Sequence, residues 1–161
     1  MIAVLSDTHM PKGGRALPKR AVELLGEADA ALHGGDFFTV ATLREIEALC
    51  PGPLHAVHGN VDEGELRAAL PETLEVEFDG ARIAMIHDAG PSKGRLRRMR
   101  GRFPNADAVV FGHSHLPLHE ADDGFQIFNP GSPTERRRAP RHSMGVLTVE
   151  AGRPVFEHVW L

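Results

Sequence analysis

Val109-Val110-Phe111-Gly112-His113-Ser114-His115 is the stretch whose reading decides the fold. An apolar run ends in a glycine, and two histidines follow with one small residue between them. Such a run reads as a buried strand, and the glycine lets the backbone turn sharply where the strand ends. Both imidazoles then arrive just past the strand's C-terminal end, the edge at which open α/β sheets bind ligands. Taken alone, one His-x-His is as compatible with two loop histidines as with a metal site. Four other segments of the chain end in the same way, and the repetition carries the reading.

The first of these, Ile2 to Leu5, runs into Ser6-Asp7-Thr8-His9. Asp7 and His9 can turn toward one point if the loop is tight, although a lone Asp-x-His also fits an Asx turn. Leu17, Ala21, Leu24, Leu25 and Ala28 then recur at helical spacing, with Pro18 suited to a first turn. A second strand, 28–32, ends in His33-Gly34-Gly35-Asp36. Thr39 is placed to cap a helix whose Leu43, Ile46 and Cys50 share a face, and Pro51-Gly52-Pro53 stops it. The third strand, 54–57, leads into His58-Gly59-Asn60-Val61-Asp62, and a short helix is expected over 63–70. Leu74, Val76 and Phe78 alternate with acids in a half-exposed strand, Asp79-Gly80 turns a hairpin, and the return strand 82–86 ends in His87-Asp88.

After a helix marked by Leu96, Met99 and Phe103 and the Gly-His-Ser-His strand, Asp122-Asp123-Gly124 and Ala151-Gly152 mark two more hairpin turns. Strands over 125–128, 144–149 and 155–159 are expected to finish the chain as an antiparallel section. The order is β-α-β-α-β-α, then mostly β. This implies a single α/β domain over residues 1–161, with a parallel first half, a second sheet packed on the first, and helices covering each.

The bulk numbers agree with a globular chain. At 161 residues with 42% hydrophobic and 25% charged residues, the chain can bury a real core. No apolar run approaches the about 20 residues a membrane span needs. The N-terminus enters a strand directly, without the basic region and cleavage site of a signal peptide. The lone Cys50 allows no internal disulfide. A cytoplasmic location is therefore expected. With no charge beside it to lower its pKa, Cys50 reads as a small buried thiol.

The strand-end polar residues are Asp7, His9, Asp36, Asn60, His87, His113 and His115. They are oxygen and imidazole donors without a thiolate, which favours manganese, iron or zinc and disfavours magnesium. Seven donors exceed the needs of one tetrahedral ion. Two ions sharing a carboxylate would use them all, with the middle one, Asp36, as the natural bridge.

These motifs also carry a resemblance. Asp-x-His, Gly-Asp, Gly-Asn-x-Asp, a lone His after a strand and Gly-His-x-His, in that order from Asp7 onward, resemble the calcineurin-like metallophosphoesterase superfamily. The short chain and Asn129-Pro130-Gly131-Ser132 look most like its small bacterial and archaeal phosphodiesterase branch. The resemblance implies a four-layer αββα sandwich of two mixed sheets flanked by helices. It implies a phosphodiesterase that uses two divalent ions, manganese foremost, with iron, zinc or nickel as alternatives. Asp7, His9 and His115 would hold one ion and Asn60, His87 and His113 the other, with Asp36 bridging; a metal-bridging hydroxide would attack phosphorus in line. Ions about 3.5–4 Å apart can activate a shared water and clamp phosphate oxygens.

Three positions depart from the superfamily's protein phosphatases or its other small members. Val61 stands where those phosphatases have a histidine acting as general acid, which favours esters with good leaving groups. Phe37-Phe38-Thr39 follows Asp36 where they have an arginine. His87-Asp88-Ala89 replaces a common His-Gly-His, and Asp88 reads equally as a partner for an imidazole or as a loop residue. A phosphomonoesterase or protein phosphatase, and a protein-binding scaffold like the small retromer subunit that resembles this fold, are the alternatives.

Five arginines over 95–102 read as a solvated face, whereas Arg136 and Arg137, after the Asn-Pro-Gly-Ser segment, are placed to grip a phosphate. Residues 1–92 hold 15 acids and 7 bases and the whole chain is −4, which disfavours general nucleic-acid binding. The expected partner is a small phosphoester or nucleotide-type substrate. His33, His55, His58, His119, His142 and His158 are read as non-ligands.

Overall fold

The computed structural model describes all residues, 1–161, as two five-stranded sheets and four helices. The strands are β1 (Ile2–Leu5), β2 (Ala30–His33), β3 (Leu54–Ala56), β4 (Thr73–Phe78), β5 (Ala81–Ile86), β6 (Ala108–Val110), β7 (Leu118–Asp122), β8 (Phe125–Asn129), β9 (Ser143–Glu150) and β10 (Arg153–Trp160). The helices are α1 (Lys19–Gly26), α2 (Val40–Leu49), α3 (Glu65–Ala69) and α4 (Arg95–Arg102). One sheet runs β10-β9-β1-β2-β3 and the other β4-β5-β6-β8-β7. No helix is long and apolar enough to cross a membrane.

Side-chain alternation in the inner strands divides the interior into three cores. Ile2 and Val4 of β1, Ile83 and Met85 of β5, and Ala108 and Val110 of β6 point between the sheets, with Phe128 and Leu147. Their neighbours Ala3 and Leu5 point outward, under Leu24 and Leu25 of α1 and Leu43 and Ile46 of α2. Ala84, Ile86 and Val109 likewise face Met99 of α4 and Phe103. A strand buried on both faces favours apolar residues along its length, so β1, β6 and the part of β2 before His33 read as continuous hydrophobic runs and not as alternating ones. Three cores between four layers form the αββα sandwich that the resemblance implied.

The three hairpin turns form as expected. Asp79-Gly80, Asp123-Gly124 and Ala151-Gly152 all have positive φ at both central residues, the geometry that suits two-residue hairpins.

The chain's end differs from the expected single antiparallel section. β8 pairs antiparallel with β7, an edge strand the sequence marks only by its turn, and parallel with β6. β9 and β10 instead return to the first sheet, where β9 lies antiparallel to β1. The reason lies in β9's two apolar faces: Met144 enters the helix-side core and Leu147 the core between the sheets. Such a strand is stable only inside a sheet, and its own sequence does not say which one.

Candidate metal centre

Parallel pairing brings the C-terminal ends of β1, β2 and β3 to one edge of the first sheet, and those of β5 and β6 to the facing edge of the second. The loops stay in register past the strand ends: Asp7 N–H donates to Gly35 O at 2.9 Å and His9 N–H to Asp36 O at 3.0 Å. Within the second sheet Gly112 N–H donates to His87 O at 2.9 Å, and across the sheets His113 N–H reaches both Asp7 carboxylate oxygens at 3.1 and 3.0 Å.

The seven expected donors lie together. His9 Nε2 is 3.2 Å from His115 Nε2, and His115 Nε2 is 3.3 Å from Asp7 Oδ1. Asp36 Oδ2 is 3.4 Å from both His9 Nε2 and His87 Nε2. Asn60 Oδ1 is 3.0 Å from His87 Nε2 and 2.9 Å from His113 Nδ1. Asp7, His9 and His115 form one buried group able to hold an ion, and Asp7, Asp36 and His87 another. Donors bonded at about 2.1 Å to a common ion stand about 3 Å apart, so this crowding of imidazole and carboxylate atoms fits divalent metals. The rings are aimed by their far sides: His87 Nδ1 lies 2.7 Å from Gly34 O and His115 Nδ1 2.6 Å from Glu135 O. A carbonyl that accepts a hydrogen bond from Nδ1 turns Nε2 toward the other donors, where its lone pair is free once the ring is neutral.

Burial and mutual charge set the protonation of these groups. Burial pushes Asp7 up to about 7, against the pull of the His87 charge. Burial also opposes ionisation of Asp36, but hydrogen bonding and charge from His87, with the Val61 N–H, outweigh it and hold the carboxyl at about 2. For His87 burial acts downward, and the Asp36 and Asp7 carboxylates override it, raising the imidazole to about 9. Burial lowers His9, and lowers His115 to about 4, in both cases with the Arg137 charge adding to the shift.

The backbone is bent to achieve this. Ten non-glycine residues have positive φ. Three of them (Asp79, Asp123 and Ala151) sit in hairpin turns, and the other seven are Asp7, His9, Asp36, His113 and His115 with Phe38 and Arg137. Left-handed conformations at non-glycine residues are costly and gather where a site needs them. The glycines of two motifs serve close approach instead. A Cβ on Gly59 would lie 2.0 Å from Asp36 Oδ1, and one on Gly112 1.9 Å from Ser6 Oγ and 2.7 Å from Asp7 Oδ2.

Several supporting residues were missing from the sequence-based site. Buried Asp62 accepts N–H bonds from Asp36 and Gly59, both at 2.8 Å, and from Phe38 at 2.9 Å, tying the β2 and β3 loops together. Ser132 Oγ donates to Asp7 O at 2.7 Å, Asn129 Nδ2 to Gly112 O at 2.8 Å, and Thr134 Oγ1 to Thr8 O at 2.6 Å. The Asn-Pro-Gly-Ser segment was the visible signal for this bracing, and the Gly-Asn-x-Asp motif the signal for Asp62.

The arginines divide in an unexpected way. Arg137 Nη1 donates to His113 O at 3.1 Å, beside the ligands, whereas Arg136 Nη1 turns back to Ala139 O at 2.8 Å and closes its own loop. Two of the α4 arginines are not a merely solvated face: Arg95 donates to Gly90 O, and Arg98 to Ala89 O and Pro91 O, pinning the loop after His87. Asp88 takes the loop role, accepting from Gly90 N–H at 2.7 Å. Cys50 is buried, with Sγ 3.7 Å from Ala28 O. A cleft of about 310 Å³ lined by His58, Asn60, Arg67, His87 and Arg102 opens beside the donors. The largest surface cleft, about 740 Å³ around Arg100, Asp107, Phe125 and Arg153, contains none of them, so donor chemistry and not cleft size locates the site.

Comparison with known proteins supplies the family. Residues 1–152 match the calcineurin-like phosphoesterase superfamily domain. A Methanothermobacter thermautotrophicus protein named "Probable metallophosphoesterase" is 30% identical over 139 residues, 85% of this chain and 79% of its own. A Methanocaldococcus jannaschii protein named as a phosphodiesterase is 29% identical over 147 residues, 81% of this chain and 82% of its own. Vps29 of Chaetomium thermophilum superposes with a TM-score of 0.80 at 19% identity, over 98% of this chain and 96% of its own, a likeness of fold. With residues 1–152 matched by the family's domain, this chain belongs to the calcineurin-like phosphoesterase superfamily.

Proposed function

We propose that the protein is a phosphodiesterase working with two divalent ions, manganese foremost, on small phosphoesters of nucleotide type. The observation that carries this reading is the position of Asp36 Oδ2, 3.4 Å from an imidazole on either side, His9 and His87. In this reading Asp7, His9 and His115 hold one ion, Asn60, His87 and His113 the other, and Asp36 both. Such ions supply Lewis acidity toward phosphoryl oxygens and an activated water. The chain's own contribution is orientation. Carbonyls of Gly34 and Glu135 fix the His87 and His115 rings, and the Val61 N–H, 3.0 Å from Asp36 Oδ1, steadies the shared carboxylate. Arg137, whose Nη1 donates to His113 O, is the guanidinium this reading assigns to a phosphate oxygen, since Arg136 is occupied with Ala139. The cleft beside Asn60 and His87 gives room to one ester arm.

Diesters are favoured over phosphoproteins by Val61, which brings no ionisable group to the place where a leaving alcohol would need a proton. An activated aryl diester, whose leaving group needs none, is the substrate to try first. The purified protein with added manganese hydrolyses bis(p-nitrophenyl) phosphate, EDTA abolishes the activity, and a phosphopeptide is a poorer substrate. Inactivity on a panel of mono- and diesters with manganese, nickel or cobalt would refute the reading.

A further inference from the structure

Beyond the donors, the residue of the site loops least explained by folding is Phe38. It and Trp160 are the two exposed large hydrophobic side chains, at 41% and 42%. Its φ of +85 is a conformation in which glycine is at ease and a bulky residue is strained. Its neighbour Phe37 fills the core and stacks on His33, so the loop's apolar anchor is already supplied. A glycine at 38 would relieve the strain and remove exposed apolar surface. The ring therefore costs stability where it stands, and such costs gather at functional positions.

The ring's surroundings indicate its use. Phe38 follows Asp36 by two residues, and its N–H is held by Asp62 at 2.9 Å. On its other side Thr39 caps α2 through the Thr42 N–H at 3.1 Å, so the backbone is pinned at both flanks. Lys12, on the loop after His9, places Nζ 5.6 Å from the ring centroid. Arg15, paired with Glu135 at 3.0 Å, and Arg137 add positive charge on the His9 side. A rigid, half-open aromatic face next to cations and metal ligands suits a ligand with a planar ring at one end and a phosphate at the other.

We propose that Phe38 is a stacking platform for the base of a nucleotide substrate, on the face away from Lys12, with the phosphate directed to the metal ligands. This rests on the phosphodiesterase reading and names the residue by which a nucleotide's base would be recognised. Base–aromatic stacking is tolerant of sequence and strong enough to be read in binding.

Calorimetry on the manganese-loaded protein with AMP and with ribose 5-phosphate tests it without depending on turnover. AMP is expected to bind about tenfold more tightly than ribose 5-phosphate, and Phe38→Ala to bring the ratio to about one. Phe38→Gly loses the same preference while melting at a higher temperature, a pairing that a merely structural phenylalanine would not give. Equal binding of the two ligands by the native protein, or equal weakening of both in Phe38→Ala, overturns the inference, as does phenyl phosphate binding as tightly as AMP. If bis(p-nitrophenyl) phosphate is still hydrolysed in those cases, the phosphodiesterase reading stands and the platform alone falls. If that ester is not hydrolysed and neither phosphate binds, both fall together.

Discussion

Asp62 Oδ2 accepts the backbone N–H of Asp36 at 2.8 Å, from a side chain with no exposure to solvent. The same oxygen takes the Gly59 N–H, and Oδ1 takes that of Phe38. One carboxylate thus sets the distance between the loop bearing Asp36 and the loop bearing Asn60. Asp62→Ala strands three backbone donors, and each buried donor left unpaired costs about 1–3 kcal/mol. The expected result is a large drop in melting temperature together with loss of bound manganese. Asp62→Asn keeps an acceptor oxygen and is expected to fall between the two in both measurements.

Glycines at 59 and 101 give a matched pair of opposite sign. A Cβ at 59 would stand 2.0 Å from Asp36 Oδ1, so Gly59→Ala must displace the carboxylate or the loop. Gly101 lies in α4 with nothing within 4 Å of a Cβ. Gly101→Ala should stabilise by about 0.5–1 kcal/mol, the usual cost of a helical glycine. Denaturant midpoints and metal content, measured on both variants, separate the two effects: Gly59→Ala loses metal and activity, and Gly101→Ala gains stability with metal unchanged.

Much of the site is legible in the sequence because its donors are local to strand ends. An apolar run followed within a few residues by Asp, His or Asn gives position and chemistry together, as in Ile2–His9 or Val109–His115. The three hairpin turns are equally local, since positive φ at two successive residues favours pairs such as Asp79-Gly80. What stays hidden is relational. Nothing in Ser143–Glu150 says that it lies beside β1 and not in the second sheet. Nothing in Arg136 and Arg137 says which guanidinium turns to its own loop. The Gly-Asn-x-Asp motif marks Asp62, but its role shows only when three N–H groups from two loops are seen to meet on it.

His33, which is not one of the seven donors, gives its own pH dependence of stability. Gly35 N–H donates to its Nδ1 at 3.2 Å, so Nε2 carries the proton toward Thr8 Oγ1, also at 3.2 Å. Complete burial, helped by the His87 charge, lowers this imidazole from 6.5 to about 3. The folded pKa lies below the unfolded one, so the contribution is fully present above pH 6.5 and is lost as pH falls toward 3, where the unfolded chain takes up a proton that the folded one refuses. The slope is at most about 1.4 kcal/mol per pH unit. His33→Gln has no such titration. Subtracting its stability profile from that of the native protein cancels the shared ligands, and the difference should grow in favour of the native protein as pH rises from 4 to 6.5. A flat difference would mean that His33 is not held neutral.

Asp36 and Asn60 make different contributions to the two ions, and their variants should differ in kind. Asp36 Oδ2 stands between His9 and His87 at 3.4 Å from each, so a neutral amide there weakens both halves of the centre. Asn60 Oδ1 meets only His87 and His113, and its removal leaves Asp7, His9, Asp36 and His115 in place. Asp36→Asn is therefore expected to lose both ions and all measurable hydrolysis. Asn60→Ala should retain about one ion per chain, with turnover reduced by about two orders of magnitude or more, because a single ion cannot perform the two-ion function. Metal analysis after gel filtration, alongside turnover of an aryl diester, reads both quantities on the same samples. Full occupancy in Asp36→Asn, or equal loss of both ions in Asn60→Ala, would place the shared ligand elsewhere, with Asp7 the next residue to test because it belongs to both buried donor groups.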